Sequence, residues 1–443
     1  MAYSIRRVSV AMALAISGVS GILVAPQTAE ATFGYYGYGY GTQSKGMGGA
    51  GTALAQDPLA GLTNPASLVH LGNVWAAGAT LFNPNRSYTA DANFQPPMGP
   101  GDPTFITPGR YKSGSDLFLI PNFARNWKLD ENSAITLSLA GNGGMNTDFG
   151  KPVFENFAPP DAPAQFQASK PTGINLMQLA VGVSYSRRLN DQHSIGVTPI
   201  LAVQGFKATG LEPFRAVSKH PDKLTNNGHD LSYGGGIRIG WMGQITDELS
   251  LGASYQSKLK MSRFKDYKGL FANGGEFDIA GTWNVGIGYK VTPDVTVAFD
   301  VQRYLFSDVE SIANDGDLPI APGSIVMGTD NGLGFGWKDV TAYKLGVQWR
   351  QSPKLTLRAG VAHGSQPVPS SQALFNILAP GVTQRHYTLG LSYRMSDRSE
   401  ITASFMHAPR ERVRGTNPNT GPQTGFIQMD QNEFELTFTR YLN

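Results

Sequence analysis

The sequence predicts an all-β protein, a 14-stranded antiparallel transmembrane β-barrel with an N-terminal luminal hatch, a plug inside the barrel. Three observations predict it: an apolar leader, a long series of alternating segments, and connections that are short and long in turn. Only 16% of the 443 residues are charged and none is cysteine, which excludes a disulfide scaffold, cysteine-ligated metals and a thiol nucleophile. The net charge of +3 is too small to indicate a nucleic acid partner.

Residues 1–31 have the pattern of a secretory signal peptide. Arg6 and Arg7 precede a stretch of apolar and small residues, and the last three residues, which end at Ala31, fit a small-x-small cleavage site. The alternative, a permanent membrane anchor, is disfavoured by the serines and glycines of the stretch. An exported chain has no supply of ATP or nicotinamide, so we expect no cofactor. We also expect no metal site, because no cluster of histidines has a convincing metal-ligand spacing.

Residues 32–73 do not alternate, and their only formal charges are Lys45 and Asp57. A segment this rich in small and apolar residues is predicted to fold into the barrel lumen as the hatch; the alternative is a solvated periplasmic tail. Residues 46–51 match a dinucleotide-binding glycine pattern. Because no strand precedes them and no βαβ unit surrounds them, that match carries no weight.

Residues 74–443 alternate with period two, as the strands of a barrel do. Tyr387, Leu389, Leu391 and Tyr393 form one apolar row, with aromatic rings at both ends. Such rows predict a lipid-facing band with aromatic girdles. The other face carries glycine, hydroxyl, amide and charged residues, which predicts a hydrated lumen. A soluble β-sandwich or lipocalin-like barrel would bury the apolar rows instead.

The connections between these segments alternate in length. Short polar turns are predicted at 130–132, 190–192, 246–248, 292–294, 352–354 and 396–398. Longer connections are predicted at 88–112, 142–173, 207–230, 262–277, 306–339, 364–384 and 408–431. Thirteen connections join fourteen strands and leave both ends on the short-turn side, which is the layout of an outer-membrane barrel.

Two sets of residues are candidates for ligand binding. Apolar side chains in two of the long connections predict a greasy groove, with ordinary loop packing as the alternative: Leu211, Phe214, Phe264, Tyr267, Leu270 and Phe271. Basic residues on the lumen side of the strands are candidates for pairing with a carboxylate head group, with internal charge pairing as the alternative: Arg238, Lys290, Lys344, Arg350 and Arg358.

Several short motifs occur in order along the mature chain. They include the glycine-rich 46–51, Asn64-Pro65-Ala66, 120–124, 336–340 and 387–393. In this order and spacing, the chain resembles the FadL/TodX family of outer-membrane transporters for long-chain fatty acids and other hydrophobic compounds. The C-terminal residue departs from the usual aromatic end of outer-membrane barrels.

The resemblance implies passive transport of a hydrophobic molecule, a long-chain fatty acid or an aromatic hydrocarbon. The ligand would pass from a loop groove to a luminal pocket, and leave through a lateral opening at an inward kink of the third strand. The hatch motif would be Asn64, Pro65 and Ala66. The kink candidate, with a plain strand-to-loop boundary as the alternative, is the cluster Gly141, Asn142, Gly143 and Gly144, and the hatch motif is its expected partner.

The resemblance also implies a monomer in the Gram-negative outer membrane, surrounded by lipid and lipopolysaccharide. The two alternative functions are an outer-membrane lipid hydrolase and a general porin. His363 and His386 flank a loop that contains serines, but the mature chain has no G-x-S-x-G motif, and we expect no enzyme activity. A plug of about 40 residues is not expected in a small-solute porin.

Overall fold

The structure is a computed structural model that describes residues 32–95, 104–318 and 323–442. The predicted signal peptide, residues 1–31, lies outside the described residues, as does the last residue of the predicted barrel.

The described chain forms one antiparallel sheet that closes on itself, because its first strand pairs with its last. The strands are β1 Val74–Ala90, β2 Gly109–Lys112, β3 Phe118–Asp130, β4 Ser133–Asp148, β5 Gly173–Arg188, β6 His193–Thr209, β7 Asp230–Gln244, β8 Leu249–Gln256, β9 Lys260–Met261, β10 Gly281–Thr292, β11 Val295–Leu305, β12 Val340–Arg350, β13 Leu355–Gly364, β14 Arg385–Ser396, β15 Ser399–Thr416 and β16 Thr424–Tyr441. The short β2 and β9 only add to β1 and β7, so fourteen strands form the wall and the predicted barrel is confirmed.

Helices are short and lie in the hatch and in the long connections. The α-helical turns are Thr42–Lys45, Ala272–Gly275, Glu310–Ala313 and Ala373–Asn376. The 3₁₀ turns are Pro58–Leu62, Pro65–His70, Glu155–Phe157, Ala164–Phe166, Glu212–Val217, Pro221–Lys223, Phe306–Asp308, Ser370–Gln372 and Pro418–Thr420. Among the described residues, the helices are all too short or too polar to cross a membrane.

The alternating pattern sorts side chains between the two faces of the wall as predicted. On β14, the apolar row Tyr387, Leu389, Leu391 and Tyr393 is exposed on the outer surface, whereas Thr388 and Ser392 within this stretch are buried on the lumen side. The lumen face is packed against the hatch at this level. The prediction of a hydrated lumen is therefore wrong there, since the small residues make room for protein and not for water.

Several predicted connections begin inside a strand, and the error is largest at the ends of β4 and β15. β4 continues to Asp148 and β15 to Thr416, so residues 142–148 and 408–416 are strand and not loop. In β15 the register shifts between Ala408 and Glu411, and the charged residues beyond it form cross-strand ion pairs such as Arg410–Asp430 at 2.8 Å. Apolar alternation does not reveal this strand, because charged residues and a bulge interrupt the alternation.

Above the hatch, the long connections fold inward and supply a continuous apolar core. Its centre is aromatic: Phe306 contacts the ring of Tyr35 at a centroid distance of 5.2 Å and that of Trp337 at 5.3 Å. The core therefore joins the loops to the first residues of the hatch.

Candidate functional site

Two Asx-Pro pairs fold the hatch locally. Asp57 and Asn64 each accept a hydrogen bond from the backbone two residues ahead, Asp57 from Leu59 at 2.9 Å and Asn64 from Ala66 at 3.1 Å. Each is followed by a proline at the first position of a 3₁₀ turn, where a missing N–H costs nothing. Side-chain capping and proline thus build two rigid turns inside the lumen.

The predicted hatch motif rests against β6 and β7. The Asn64 amide donates to the carbonyls of Thr52 at 2.8 Å and Trp241 at 2.9 Å, and the Ser194 hydroxyl donates to the carbonyl of Ala66 at 2.9 Å. Asn64 is 1% exposed. This side chain therefore holds the hatch to the wall as well as capping its second turn.

Inward-facing glycines of the wall let the hatch backbone approach closely. A Cβ on Gly252 would lie 2.2 Å from the Thr52 carbonyl oxygen, and one on Gly360 would lie 2.2 Å from the Gly48 nitrogen. The same closeness to the hatch recurs at Gly182, Gly196, Gly240, Gly286, Gly346 and Gly390. We call these eight residues the glycine belt. From the sequence they could be recognised only as small residues, and not as the surface that contacts the hatch.

A buried ion cluster ties the hatch to β16. The Lys45 ammonium lies 2.9 Å from Glu433 and 2.8 Å from Glu435, and all three side chains are at most 4% exposed. Glu435 also accepts hydrogen bonds from Thr80 of β1 at 2.7 Å and Asn122 of β3 at 3.1 Å. We call Lys45, Glu433 and Glu435 the ion cluster; the sequence analysis missed it.

The wall is incomplete between β3 and β4. Their pairing begins at Phe123–Leu139 and runs to the turn, while the register of β4 against β5 shifts between Gly141 and Gly143. In the described chain, residues 118–122 of β3 have β1 as a strand partner but not β4. The predicted kink cluster therefore coincides with a β-bulge in β4, which is the third strand of the wall. We call the opening between 118–122 and 140–148 the lateral gap.

The tyrosine-rich start of the hatch bridges the lateral gap. Tyr36 forms a β-bridge with Gly143, the Gly144 N–H donates to the Tyr35 carbonyl at 3.0 Å, and the Tyr40 hydroxyl donates to the Asn142 amide oxygen at 2.9 Å. The prediction that the Asn64-Pro65-Ala66 motif meets the kink is wrong. That motif lies against β6 and β7, and the partner of the kink is the segment 35–40.

Three of the basic candidates hold the hatch. Arg238 donates to the Thr63 carbonyl at 3.0 Å, Lys344 to the Tyr38 carbonyl at 2.6 Å, and Arg358 to the Gln43 amide oxygen at 3.1 Å. All three are at most 6% exposed. Their donors are thus directed at hatch acceptors, and a carboxylate would have to replace those acceptors.

The other two basic candidates lie at the periplasmic rim. Lys290 donates to the Asp247 carbonyl at 3.1 Å, and Arg350 is paired with Asp294 at 2.8 Å; both basic side chains are exposed. The structure does not bring them together with Arg238 and Arg358, so the basic candidates form no single site.

The apolar loop candidates are packed and not exposed. Leu211, Phe214, Phe264, Tyr267 and Phe271 are each at most 3% exposed, and Leu270 packs against the same core. The expectation of an exposed greasy groove is wrong for these side chains, because the loops fold inward and bury them over the hatch. Their role in ligand binding stays a prediction.

The closed lumen leaves little free space beside the buried cations. The cavity between Tyr36, Tyr304, Arg238 and Lys344 measures about 10 Å³, which is room for about one water molecule. His386, the candidate of the hydrolase alternative, is buried among aromatic rings; its ring centroid lies 4.7 Å from that of Phe33 in an edge arrangement. A molecule larger than water can enter this region only if the hatch and the rings above it separate.

Burial raises the pKa of the Asp57 carboxyl to about 7, and its hydrogen bond from Leu59 offsets part of that rise. The hatch therefore holds a carboxyl whose charge changes near neutral pH. Within residues 32–95, 104–318 and 323–442, no three histidine, aspartate or glutamate side chains are grouped to hold a metal ion.

Comparison with known proteins adds a family and a fold. Residues 22–435 match the family model described as outer membrane protein transport protein (OMPP1/FadL/TodX). The Pseudomonas putida toluene transporter TodX is 18% identical, with a TM-score of 0.67 over 92% of this chain and 99% of that one. A Pseudomonas aeruginosa FadL homologue is 16% identical, with a TM-score of 0.66 over 93% and 100%. The Ralstonia pickettii toluene transporter TbuX is 17% identical, with a TM-score of 0.59 over 92% and 99%. No curated protein sequence matches the chain.

Proposed function

Because the chain belongs to the OMPP1/FadL/TodX family of outer-membrane transport proteins, we propose that it transports hydrophobic molecules passively across the outer membrane. It acts as a monomer after its signal peptide, residues 1–31, has been cleaved. Solved relatives are described as toluene transporters, which supports an aromatic hydrocarbon as the ligand class. A long-chain fatty acid is the other ligand class that the family resemblance implies.

The observation that carries this proposal is the lateral gap. β3 and β4 leave part of the wall without strand pairing, and hatch residues Tyr35, Tyr36 and Tyr40 occupy the opening. An unpaired wall is costly in lipid, since backbone groups there find no water. A gap closed by a removable segment is therefore a route by which an apolar molecule leaves sideways into the membrane.

Burial of apolar surface drives the movement without an energy source. A hydrocarbon gains about 0.8 kcal/mol per CH₂ on leaving water, which favours entry into the ring-lined core above the hatch. Weak successive sites then release it into lipid through the gap. The buried cations Arg238, Lys344 and Arg358 already donate to hatch acceptors, and this favours neutral hydrocarbons over carboxylates.

Removing the bulge tests the route. Deletion of Asn142 keeps the pairing of β4 with β5, since Gly141 pairs with Leu179 and Gly143 with Gln178. We expect the deletion to straighten β4 and to abolish uptake of labelled toluene and oleate by cells that otherwise lack a transporter. Asn142→Ala is the matched control, because it removes the same side-chain hydrogen bonds and retains the bulge.

Equal uptake by the deletion variant and the wild type would contradict the lateral route. Uptake of oleate without toluene would reverse the preference for neutral ligands.

We further propose that the chain is neither an enzyme nor an open porin. Ester hydrolysis that is lost in His386→Ala would show that the chain is an enzyme. A large resting conductance in planar bilayers would show that it is an open porin.

A further inference from the structure

A polar groove lies on the outer surface of the barrel at its extracellular end, and the transport route does not use it. It has a volume of about 380 Å³ and is lined by residues at the extracellular ends of β4, β5 and β6 and by the loops beside them. Asn146, Asn175 and Lys207 form a row across these three strands, since Asn146 pairs with Asn175 and Asn175 with Lys207. Lys170 joins them from the loop before β5.

The row faces outward, where a membrane barrel is expected to be apolar. Phe206 and Ala208, which flank Lys207, are buried in the core, so Lys207 points away from it. The neighbours of Asn146 also face inward. Met145 belongs to the core, and the Thr147 hydroxyl donates to the Leu378 carbonyl of an inward-folded loop at 2.7 Å. Asn146 therefore points outward.

The height of the row fits the head-group layer of the outer leaflet. Val203 of β6 pairs with Tyr233, which is 64% exposed on the outer surface, as expected of a residue in the upper aromatic girdle. Lys207 is four residues farther along β6, which places it about 10 Å above that girdle at about 3.4 Å per residue and a tilt of about 40°. Lipid phosphates occupy this layer.

The two asparagines present hydrogen-bonding atoms that the protein does not use. Asn146 is 3% exposed and Asn175 is 8% exposed. Among the described residues, nothing pairs with the Asn146 amide nitrogen or the Asn175 amide oxygen. A buried amide donor without an acceptor is destabilising, so a ligand oxygen at this position would be stabilising.

We propose that this groove binds a phosphate group of lipopolysaccharide in the outer leaflet, with Lys170 and Lys207 pairing with the phosphate and Asn146 donating to it. The charge balance agrees, since two lysines line the groove against one carboxylate, Asp148, which accepts from the Gly150 N–H at 3.0 Å. The site also flanks the unpaired edge of β4, so the bound lipid stands beside the lateral gap.

The test measures binding of defined lipids to the full-length mature chain in a mild detergent by native mass spectrometry. The probes are lipid A with both phosphates, lipid A from which the phosphates have been removed, and inorganic phosphate alone. We expect the wild type to retain diphosphorylated lipid A at least tenfold more tightly than the dephosphorylated form, with no retention of inorganic phosphate at the same concentration.

Variants assign the binding to the groove. Lys170→Gln/Lys207→Gln is expected to weaken retention of diphosphorylated lipid A at least tenfold, and Asn146→Leu about threefold or more. The matched control is Lys265→Gln/Lys338→Gln, which removes the same charge from exposed lysines of other loops. Heat-modifiable migration of each variant on a gel checks that the barrel has folded.

Three results would overturn the proposal. They are equal retention of the two forms of lipid A, equal loss in the groove and control variants, and displacement of the lipid by inorganic phosphate at equal concentration. The last result would assign the groove to free phosphate rather than to a lipid. None of these outcomes depends on uptake of a hydrophobic molecule, so the site and the transport function are tested separately.

Discussion

Removal of the Lys45 ammonium is the sharpest test of how the hatch is held. Lys45→Met keeps the length of the side chain but leaves Glu433 and Glu435 facing each other without their cation. Removal of one partner from a buried ion pair costs about 3–5 kcal/mol. If the folded barrel can relieve this cost only by releasing the hatch, the seated state becomes roughly 10²- to 4 × 10³-fold less favoured.

The assay is single-channel conductance in planar bilayers, where a seated hatch blocks ions and a released hatch admits them. We expect brief or no openings in the wild type and frequent openings in Lys45→Met. The compensating variant Lys45→Met/Glu433→Gln/Glu435→Gln removes the uncompensated charges and is expected to restore most of the block. A Lys45→Met channel as quiet as the wild type would refute the reasoning, and so would a triple variant that leaks as much as the single one.

Three further substitutions alter residues of the hatch or of the wall that holds it. Asp57→Asn is expected to flatten a pH dependence in which openings increase as pH rises from 5 to 8, because the raised pKa of about 7 means that ionisation of the buried carboxyl destabilises the seated hatch; conductance against pH measures this. Gly346→Val drives a side chain into Met47, at a cost of about 1–3 kcal/mol, and is expected to raise conductance, whereas Gly72→Ala meets nothing within 4 Å and is expected to be silent. Asn64→Ala is expected to destabilise the seated hatch by about 1–3 kcal/mol, measured as faster trypsin cleavage at Lys45.

The barrel was predictable because its physics is repetitive. Each wall strand has lipid on one side, so a period of two persists over many segments, and short turns recur where the chain reverses at the periplasmic side. Where that repetition stops, prediction failed. The ends of β4 and β15 were assigned to loops because a bulge and a run of charges interrupt the alternation.

The site was predictable only in part, because its residues meet across the barrel and not along the chain. Lys45 is the only lysine or arginine of the hatch, and Glu433 and Glu435 share one face of β16, yet nothing in their spacing shows that they converge. The glycine cluster at 141–144 was visible as a source of irregularity. Its partner was not, since the segment 35–40 contacts it through backbone groups, which every residue carries, and through one tyrosine hydroxyl.

The arrangement of these contacts divides the hatch into two parts that are held in different ways. Asn64, the glycine belt and the ion cluster hold the middle of the hatch through close packing and buried charge, whereas a β-bridge, hydrogen bonds and aromatic packing hold the start of the hatch in the lateral gap. The apolar core contacts that start through Tyr35. A hydrophobic molecule that separates those rings would therefore release the gap first, while the ion cluster keeps the lumen closed to ions.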